Sequence, residues 1–292
     1  MTINVLPHSK LQIFEIQGKK VWVKREDLCT NFPAPPFSKV RGLYPHLNQL
    51  KSEGISTVGY TETSISMAGW GVAWVCAQLG LRAVIFDPQY KQDITIHKFH
   101  RRMWKYFGAE IEPIPAGRAK VNWYLSRKIL SSKYPEGVLL PLGLPLKETV
   151  MATAEEVKHT MLDPFWPEGG VKSVVVCVGS GTIAAGILLG FTQYCSDVSV
   201  KIYGVMSRTG NAQLKNNFIQ KKAGVVLGGL IGSAHELYII DEGWQYTEKS
   251  QNKSPFPCHP YYDLKAWDWL CRKLKELESP ILFWNIGSLW EE

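Results

Sequence analysis

Apolar positions along the chain recur in two alternating periods. Lys20 to Lys24 (Lys-Val-Trp-Val-Lys) alternates with period two, as a half-buried strand does. Val40 to Gly54 then carries Leu43, Leu47 and Leu50 on one helical face, with Pro45 in its first turn or kinking it. The alternation continues. Strands are predicted at Thr57 to Tyr60, Arg82 to Phe86, Ala109 to Ile114, Val138 to Leu140, Val174 to Val178, Val198 to Val205 and Ile281 to Trp284. Helices are predicted at Ala68 to Leu79, Ile96 to Phe107, Lys120 to Leu130, Val150 to Met161, Ile183 to Tyr194 and Leu264 to Leu277. Asp87-Pro88 reads as a turn, and Gly243 to Pro260 as the longest loop. Strands separated by helices predict an α/β fold of parallel sheets covered on both faces, with ligands beyond the carboxyl ends of the strands.

Composition narrows the class. The 292 residues are 45% hydrophobic and 20% charged, which excludes disorder and a collagen-like fibre. Val174 to Phe191 has the length of a membrane span, but Gly179-Ser180-Gly181-Thr182 interrupts it, so a strand, a glycine turn and a buried helix are expected. The N-terminus lacks the apolar core of a signal peptide. The six cysteines form no CxxC pair and lack zinc-ligand spacing near His, so free thiols, no metal and a cytoplasmic location are expected. The formal net charge of +7 is concentrated. Lys91 to Pro135 holds ten basic residues against Asp93, Glu110 and Glu112, and the remainder is neutral. Within that window Phe99, Trp104, Tyr106 and Phe107 interleave with Lys98, Arg101, Arg102 and Lys105. The plain reading is solvated helix faces; the sharper one is attraction for a nucleotide or nucleic acid.

Two segments carry chemistry. Val178-Gly179-Ser180-Gly181-Thr182-Ile183-Ala184 passes from a strand through glycines into a helix, leaving N–H groups that suit a phosphate. Gly179-x-Gly181-x-x-Ala184 also approaches the dinucleotide fingerprint. The next strand ends at Met206-Ser207-Arg208 without an acid, so Arg208 would meet a 2′-phosphate in an NADP-dependent oxidoreductase. The second segment is Val23-Lys24-Arg25-Glu26-Asp27-Leu28, followed by Phe37-Ser38-Lys39-Val40-Arg41. Lys39 opens a helix after a proline-rich turn, and desolvation there would make it a usable amine nucleophile.

Together these segments resemble the fold-type II pyridoxal-phosphate (PLP) enzymes, nearest the aminocyclopropane-carboxylate deaminase and D-cysteine desulfhydrase branch. Lys24-Arg25-Glu26-Asp27-Leu28 and Ser38-Lys39-Val40-Arg41 match that branch's "KRDDL…GGNKxRKL". Glu62-Thr63-Ser64-Ile65-Ser66-Met67-Ala68-Gly69 is similar to "EPTSGNTG", and Gly179 to Gly186 to the phosphate loop "GSGGTxAG". Phe107 to Ile111, Leu140 to Gly143, His259 to Ala266 ("DPVYxGKA") and Leu282 to Ser288 ("LFxHTGG") follow in the family's order. The resemblance implies residues 1–50 and 146–292 as a large PLP-binding domain, with 51–145 as a smaller domain bordering the cleft. It makes Lys39 the PLP lysine. Gly179, Ser180, Gly181 and Thr182 become the phosphate loop, and Asn285 or Ser288 partners of the pyridine nitrogen. Thr63, Ser64, Ser66 and Met67 become the substrate loop, and Ser64 and Tyr262 further catalytic candidates. Relatives are often dimers, so a homodimer is a further expectation.

The departures bear on the reaction. Met67 stands where the family has an Asn beside the PLP phenolic oxygen, Ile286 where it has a Thr, and Thr182 where it has a second loop glycine. The first expectation is a PLP-dependent lyase or deaminase acting at Cα–Cβ of an amino acid. An altered carboxylate loop also permits a decarboxylase or lyase acting on an amino acid attached to a nucleotide or DNA base, as in phage-type base hypermodification. An NADP oxidoreductase and a non-catalytic PLP-fold binding protein complete the alternatives.

Overall fold

A computed structural model of the protein describes residues 6–91, 94–195, 198–228 and 234–289. Asp93, one of the acids of the basic window, lies outside them. The chain divides into two compact units. One comprises residues 1–31, 36–41 and 147–292, the other 32–35 and 42–146.

The first unit begins with β1 (Leu11–Ile16) and β2 (Lys19–Arg25), joined at Gln17-Gly18. Both turn residues have positive φ, the geometry that favours a two-residue hairpin. Helix α1 (Val40–Ser52) crosses from the first unit into the second and contains Pro45. The second unit then runs through β3 (Thr57–Thr61), α2 (Ala68–Leu79), β4 (Arg82–Gln89), α3 (Thr95–Tyr106), β5 (Glu110–Pro115), α4 (Ala119–Lys133) and β6 (Val138–Leu139). The chain returns to the first unit with α5 (Lys147–Met161), β7 (Ser173–Val178), α6 (Thr182–Tyr194), β8 (Lys201–Met206), α7 (Ala212–Leu227), β9 (Glu236–Ile240), α8 (Asp263–Lys273) and β10 (Ile281–Asn285).

The sheet of the first unit has the order β1-β2-β10-β7-β8-β9, and that of the second β5-β4-β3-β6. Every pairing is parallel except β1 with β2. The all-parallel expectation is corrected there, because the hairpin returns the chain antiparallel. A second correction concerns Asp87-Pro88. Pro88 has no N–H, yet it lies within β4 in register with Ile114 of β5 rather than in a turn.

In the first unit both faces of the sheet are covered. On β7, Val174, Val176 and Val178 join the core under α5 and α6, while Val175 and Cys177 join the core under α8. On β10, Leu282 and Trp284 face the first core, and Ile281 and Phe283 the second. This explains why these strands read as unbroken apolar runs. Helices α5 and α6 approach closely through glycines. A Cβ on Gly186 would lie 2.4 Å from Thr153 Cβ and 2.7 Å from the Val150 carbonyl oxygen. Gly186→Ala is therefore expected to destabilise the protein by about 1–3 kcal/mol through overpacking. A lowered urea midpoint at unchanged slope measures this, and an unchanged midpoint contradicts it.

In the second unit the aromatics of the basic window differ in exposure. Trp104 is fully buried, Phe99 packs edge-on against Trp70, and only Tyr106 of the four aromatics is exposed. Arg101 is paired with the buried Asp87 at 2.6 Å, and Lys133 with Glu112. The amphipathic period of α3 buries Trp104 completely and leaves Phe99 half-buried. Among the described residues, no helix is long and apolar enough to cross a membrane, and no three His, Cys, Asp or Glu side chains form a metal-binding group. All six cysteines are free thiols.

Candidate active site

Lys39 sits one residue before α1, on a segment pinned to the end of β10. Ser38 N–H donates to the Ile286 carbonyl (3.0 Å), Ser288 N–H donates to the Pro36 carbonyl (3.2 Å), and Phe37 bridges to Gly287. From this anchor the Lys39 ammonium donates to Ser180 Oγ at 3.1 Å, and Ser180 Oγ lies 2.9 Å from Thr182 Oγ1. The lysine and the glycine loop, 141 positions apart in sequence, are therefore joined by hydrogen bonds.

The loop itself is built for backbone approach. β7 ends at Val178, and Gly181 caps α6 in the left-handed region with φ 85°. A Cβ on Gly181 would stand 2.8 Å from Ile219 Cγ1, so the position excludes other residues on conformation and on space. Gly181 offers no side chain to the N–H groups of the first turn of α6, which leaves them available to an anion. Thr182 is fully buried at the start of that helix. Lys215 Nζ donates to the Gly179 carbonyl at 2.8 Å and adds positive charge beside the loop.

The electrostatics suit a lysine nucleophile. Burial, with the charges of Lys215 and Lys222, lowers the Lys39 pKa to about 8, while Cys177 and Asp263 act in the opposite direction. Asp263 is buried, and its carboxyl accepts the Ile286 N–H at 2.9 Å. Burial pushes its pKa up to about 8. Sequence reasoning passed over Asp263, although it stands beside Tyr262 in the His259 to Ala266 segment. It also passed over Lys215 and Lys222, which lie on a helix it did not predict.

The Asn285 amide donates to Asp27 Oδ1 and to the Pro257 carbonyl, both at 2.9 Å, so both of its hydrogens are committed to the fold. Ser288 is buried beside the Lys39 segment. Tyr262 is partly exposed, with its hydroxyl 2.9 Å from that of Tyr246. The Lys24-Arg25-Glu26-Asp27 motif serves a buried ion network: Lys24 pairs with Glu156 at 2.9 Å, and Arg41 pairs with Glu26 and Glu156 at 2.9 and 3.3 Å.

In the second unit the loop of Thr63, Ser64, Ser66 and Met67 is closed on an internal carboxylate. Glu62 accepts the N–H groups of Thr63 (2.8 Å) and Gly69, and Ser66 Oγ accepts Ala68 N–H at 3.0 Å. Burial pushes the Glu62 pKa up to about 8. Met67 is buried at the N-cap of α2, and Ile65 is fully buried. Two N–H groups at the start of α2 are thus already bonded within the loop.

A family profile described as "Pyridoxal-phosphate dependent enzyme" matches residues 5–227. The chain belongs to that family. Its cofactor is pyridoxal 5′-phosphate, and its fold is that of the fold-type II enzymes. The observed donor set fits the cofactor: a desolvated lysine amine, a glycine-lined helix N-terminus without a side-chain cap, and hydroxyls at Ser180 and Thr182. The NADP-dependent alternative falls with the family membership. A "Glycyl-dTMP PLP-dependent decarboxylase" of Pseudomonas phage M6 is 37% identical over 99% of this chain and all of its own length. Among solved structures, an ACC deaminase homologue superposes with TM-score 0.80 at 20% identity, over 98% of this chain and 91% of its own. A hydrogen sulfide-producing enzyme from Fusobacterium nucleatum does so with TM-score 0.67 at 14% identity, over 98% and 96%.

The lowered lysine pKa sets the pH dependence of cofactor loading. The neutral amine is the form that attacks an aldehyde, and a folded-state pKa near 8 makes it dominant above that pH. The rate of cofactor uptake by the apoprotein should rise with a midpoint near pH 8 and then level. A rise continuing to about pH 10.4, the value of an unperturbed lysine, would contradict this.

Proposed function

We propose that this chain is a PLP-dependent decarboxylase acting on an amino acid carried by a deoxynucleotide. The observation that carries the reading is the full-length similarity, at 37% identity, to a protein named for decarboxylating glycyl-dTMP. The altered carboxylate loop supports it. Deamination and Cα–Cβ lyase chemistry need the substrate carboxylate held in the cofactor plane, whereas decarboxylation needs it released from that plane. A loop whose N–H groups already serve Glu62 has less to offer a carboxylate.

Bound pyridoxal phosphate supplies an electron sink for the Cα bond that breaks. The residues of the chain do the rest. Ser180, Thr182 and the α6 N-terminus hold the cofactor phosphate. Lys39 holds the cofactor, and its amine, poised near neutrality, delivers the proton that Cα takes up after carbon dioxide leaves. Asp263, Asn285 and Ser288 are the residues that would hold the cofactor ring. Thr63, Ser64 and Ser66 are the residues proposed to bind the substrate.

The test is a product analysis with glycyl-dTMP and with free amino acids. Release of carbon dioxide from glycyl-dTMP supports the reading. Release of ammonia or a Cα–Cβ fragment restores the lyase or deaminase expectation, and an unchanged substrate favours a non-catalytic binding protein.

A further inference from the structure

Helix α4 turns Asn122, Ser126 and Leu130 inward, with Leu125 and Ile129 packed beside them. Its opposite face carries Lys120, Tyr124, Arg127 and Lys128, at positions i, i+4, i+7 and i+8, and all four are exposed. From Pro113 to Pro135 the chain has five basic residues and no acidic one. The two acids before this stretch are engaged elsewhere. Glu112 pairs with Lys133 at the far end of the helix, and Glu110 accepts from the Tyr134 hydroxyl. Among the described residues no ion pair joins Lys120, Arg127 or Lys128. Two positions on this side of the helix are large and apolar: Val121 is 60% and Tyr124 55% exposed. The Tyr124 ring is braced. It meets the Trp123 ring edge-on at 5.3 Å, Trp123 Nε1 donates to the Leu140 carbonyl at 3.0 Å, and the Arg127 guanidinium lies 5.9 Å from the Trp123 ring.

A merely solvated helix face needs neither feature. Such faces mix both signs of charge and gain from i,i+4 pairs, whereas this one has a single sign. An exposed ring held by its neighbours has already given up rotamer freedom, so little more is lost when a flat partner settles on it. Lys120 and Arg127 stand about 10 Å apart along the helix axis, far enough to meet more than one phosphate of a strand. A free mononucleotide brings too few charges for the row, and an acidic peptide brings no base for the ring. A positively charged track beside an aromatic platform suits a nucleic-acid strand with unpaired bases. We propose that this face of α4 binds a DNA strand, with Lys120, Arg127 and Lys128 on its phosphates and Tyr124 stacked on an unpaired base. The choice of DNA rests on the deoxynucleotide-linked substrate proposed above and makes that substrate part of a polymer.

The test follows fluorescein-labelled oligothymidylate binding to the holoprotein across a salt series. Wild-type affinity should fall as salt rises. Replacing Lys120, Arg127 and Lys128 together by glutamine should flatten the log–log slope by about 2, from three contacts at about 0.7 each, and weaken low-salt binding at least about tenfold. Tyr124→Ala should bind at least about fivefold more weakly at the wild-type slope, and Tyr124→Phe, which keeps the ring, should bind as the wild type does. Replacing Lys91, Lys98 and Lys105 by glutamine removes the same charge elsewhere in the unit and should cost less than about twofold. All variants should keep the cofactor absorbance, which reports that they fold. The surface is overturned if the wild type binds no strand, if it prefers a duplex, if the α4 triple variant keeps the wild-type slope, if Tyr124→Ala binds fully, or if the control triple variant loses as much as the α4 one. Free glycyl-dTMP should be turned over equally by the wild type and the α4 variant. Carbon dioxide release from glycyl-dTMP by a protein that binds no strand sinks the surface alone. Strand binding of the expected kind, without release from free or strand-borne substrate, sinks the proposed function alone.

Discussion

Replacing Lys39 by alanine is expected to abolish the visible absorbance of the bound cofactor and to lower turnover by at least about a thousandfold. The expectation follows from position. The Lys39 amine meets the glycine loop at 3.1 Å from Ser180 Oγ, and its pKa near 8 leaves a usable fraction neutral. Alanine removes both the covalent anchor and the proton carrier. Lys39→Arg keeps the positive charge but not the nucleophile, so it should lose the absorbance too. The side chain belongs to none of the apolar core clusters, so the thermal midpoint of the apoprotein should barely move. A Lys39→Ala protein that keeps its absorbance and turnover would place the cofactor on another lysine, with Lys215 the first to examine.

The second large effect concerns the substrate. Glycyl-dTMP should be decarboxylated with a kcat/KM at least about a hundredfold above that for free glycine. Binding energy from groups remote from the reacting carbon is what positions the scissile bond, so a truncated substrate loses rate as well as affinity. Competition assays with the two substrates measure the ratio directly, and equal specificity constants would return the chain to free amino acids.

The sequence made most of this architecture legible, and the gaps have physical causes. Helix α2 and the β7–glycine–α6 passage were readable because their apolar periods are strong and glycine marks the breaks. Helix α7 was missed because it buries only Ile219, Ala223 and Gly224, a stripe too thin to stand out. Its cap was the signal: Asn211 Oδ1 accepts the Leu214 N–H, and Gly228 closes the far end in the left-handed region. β1 and β9 were missed because they are edge strands with only one or no fully buried residue. The same gap at α7 hid Lys215 and Lys222, and only the longer charge run at 91–135 stood out. There Trp104 is buried in the core and Arg101 pairs with Asp87.

In the candidate site, Lys39 and the glycine loop were legible from residue type and spacing. That Asp27 and Pro257 take both amide hydrogens of Asn285 is invisible in sequence, because Asp27 lies 258 positions away. Asp263 was missed because an acid at the start of a helix reads as an ordinary surface charge. Only burial, and the Ile286 N–H aimed at its carboxyl, single it out.

The central claim is the bond that breaks. It is tested most directly by incubating the holoprotein with glycyl-dTMP labelled at the glycine carboxyl carbon and at the nitrogen. The account predicts that the carboxyl label leaves as carbon dioxide while the nitrogen stays on the nucleotide, and that Lys39→Ala stops the release. Nitrogen leaving as ammonia with the carboxyl label retained would contradict it.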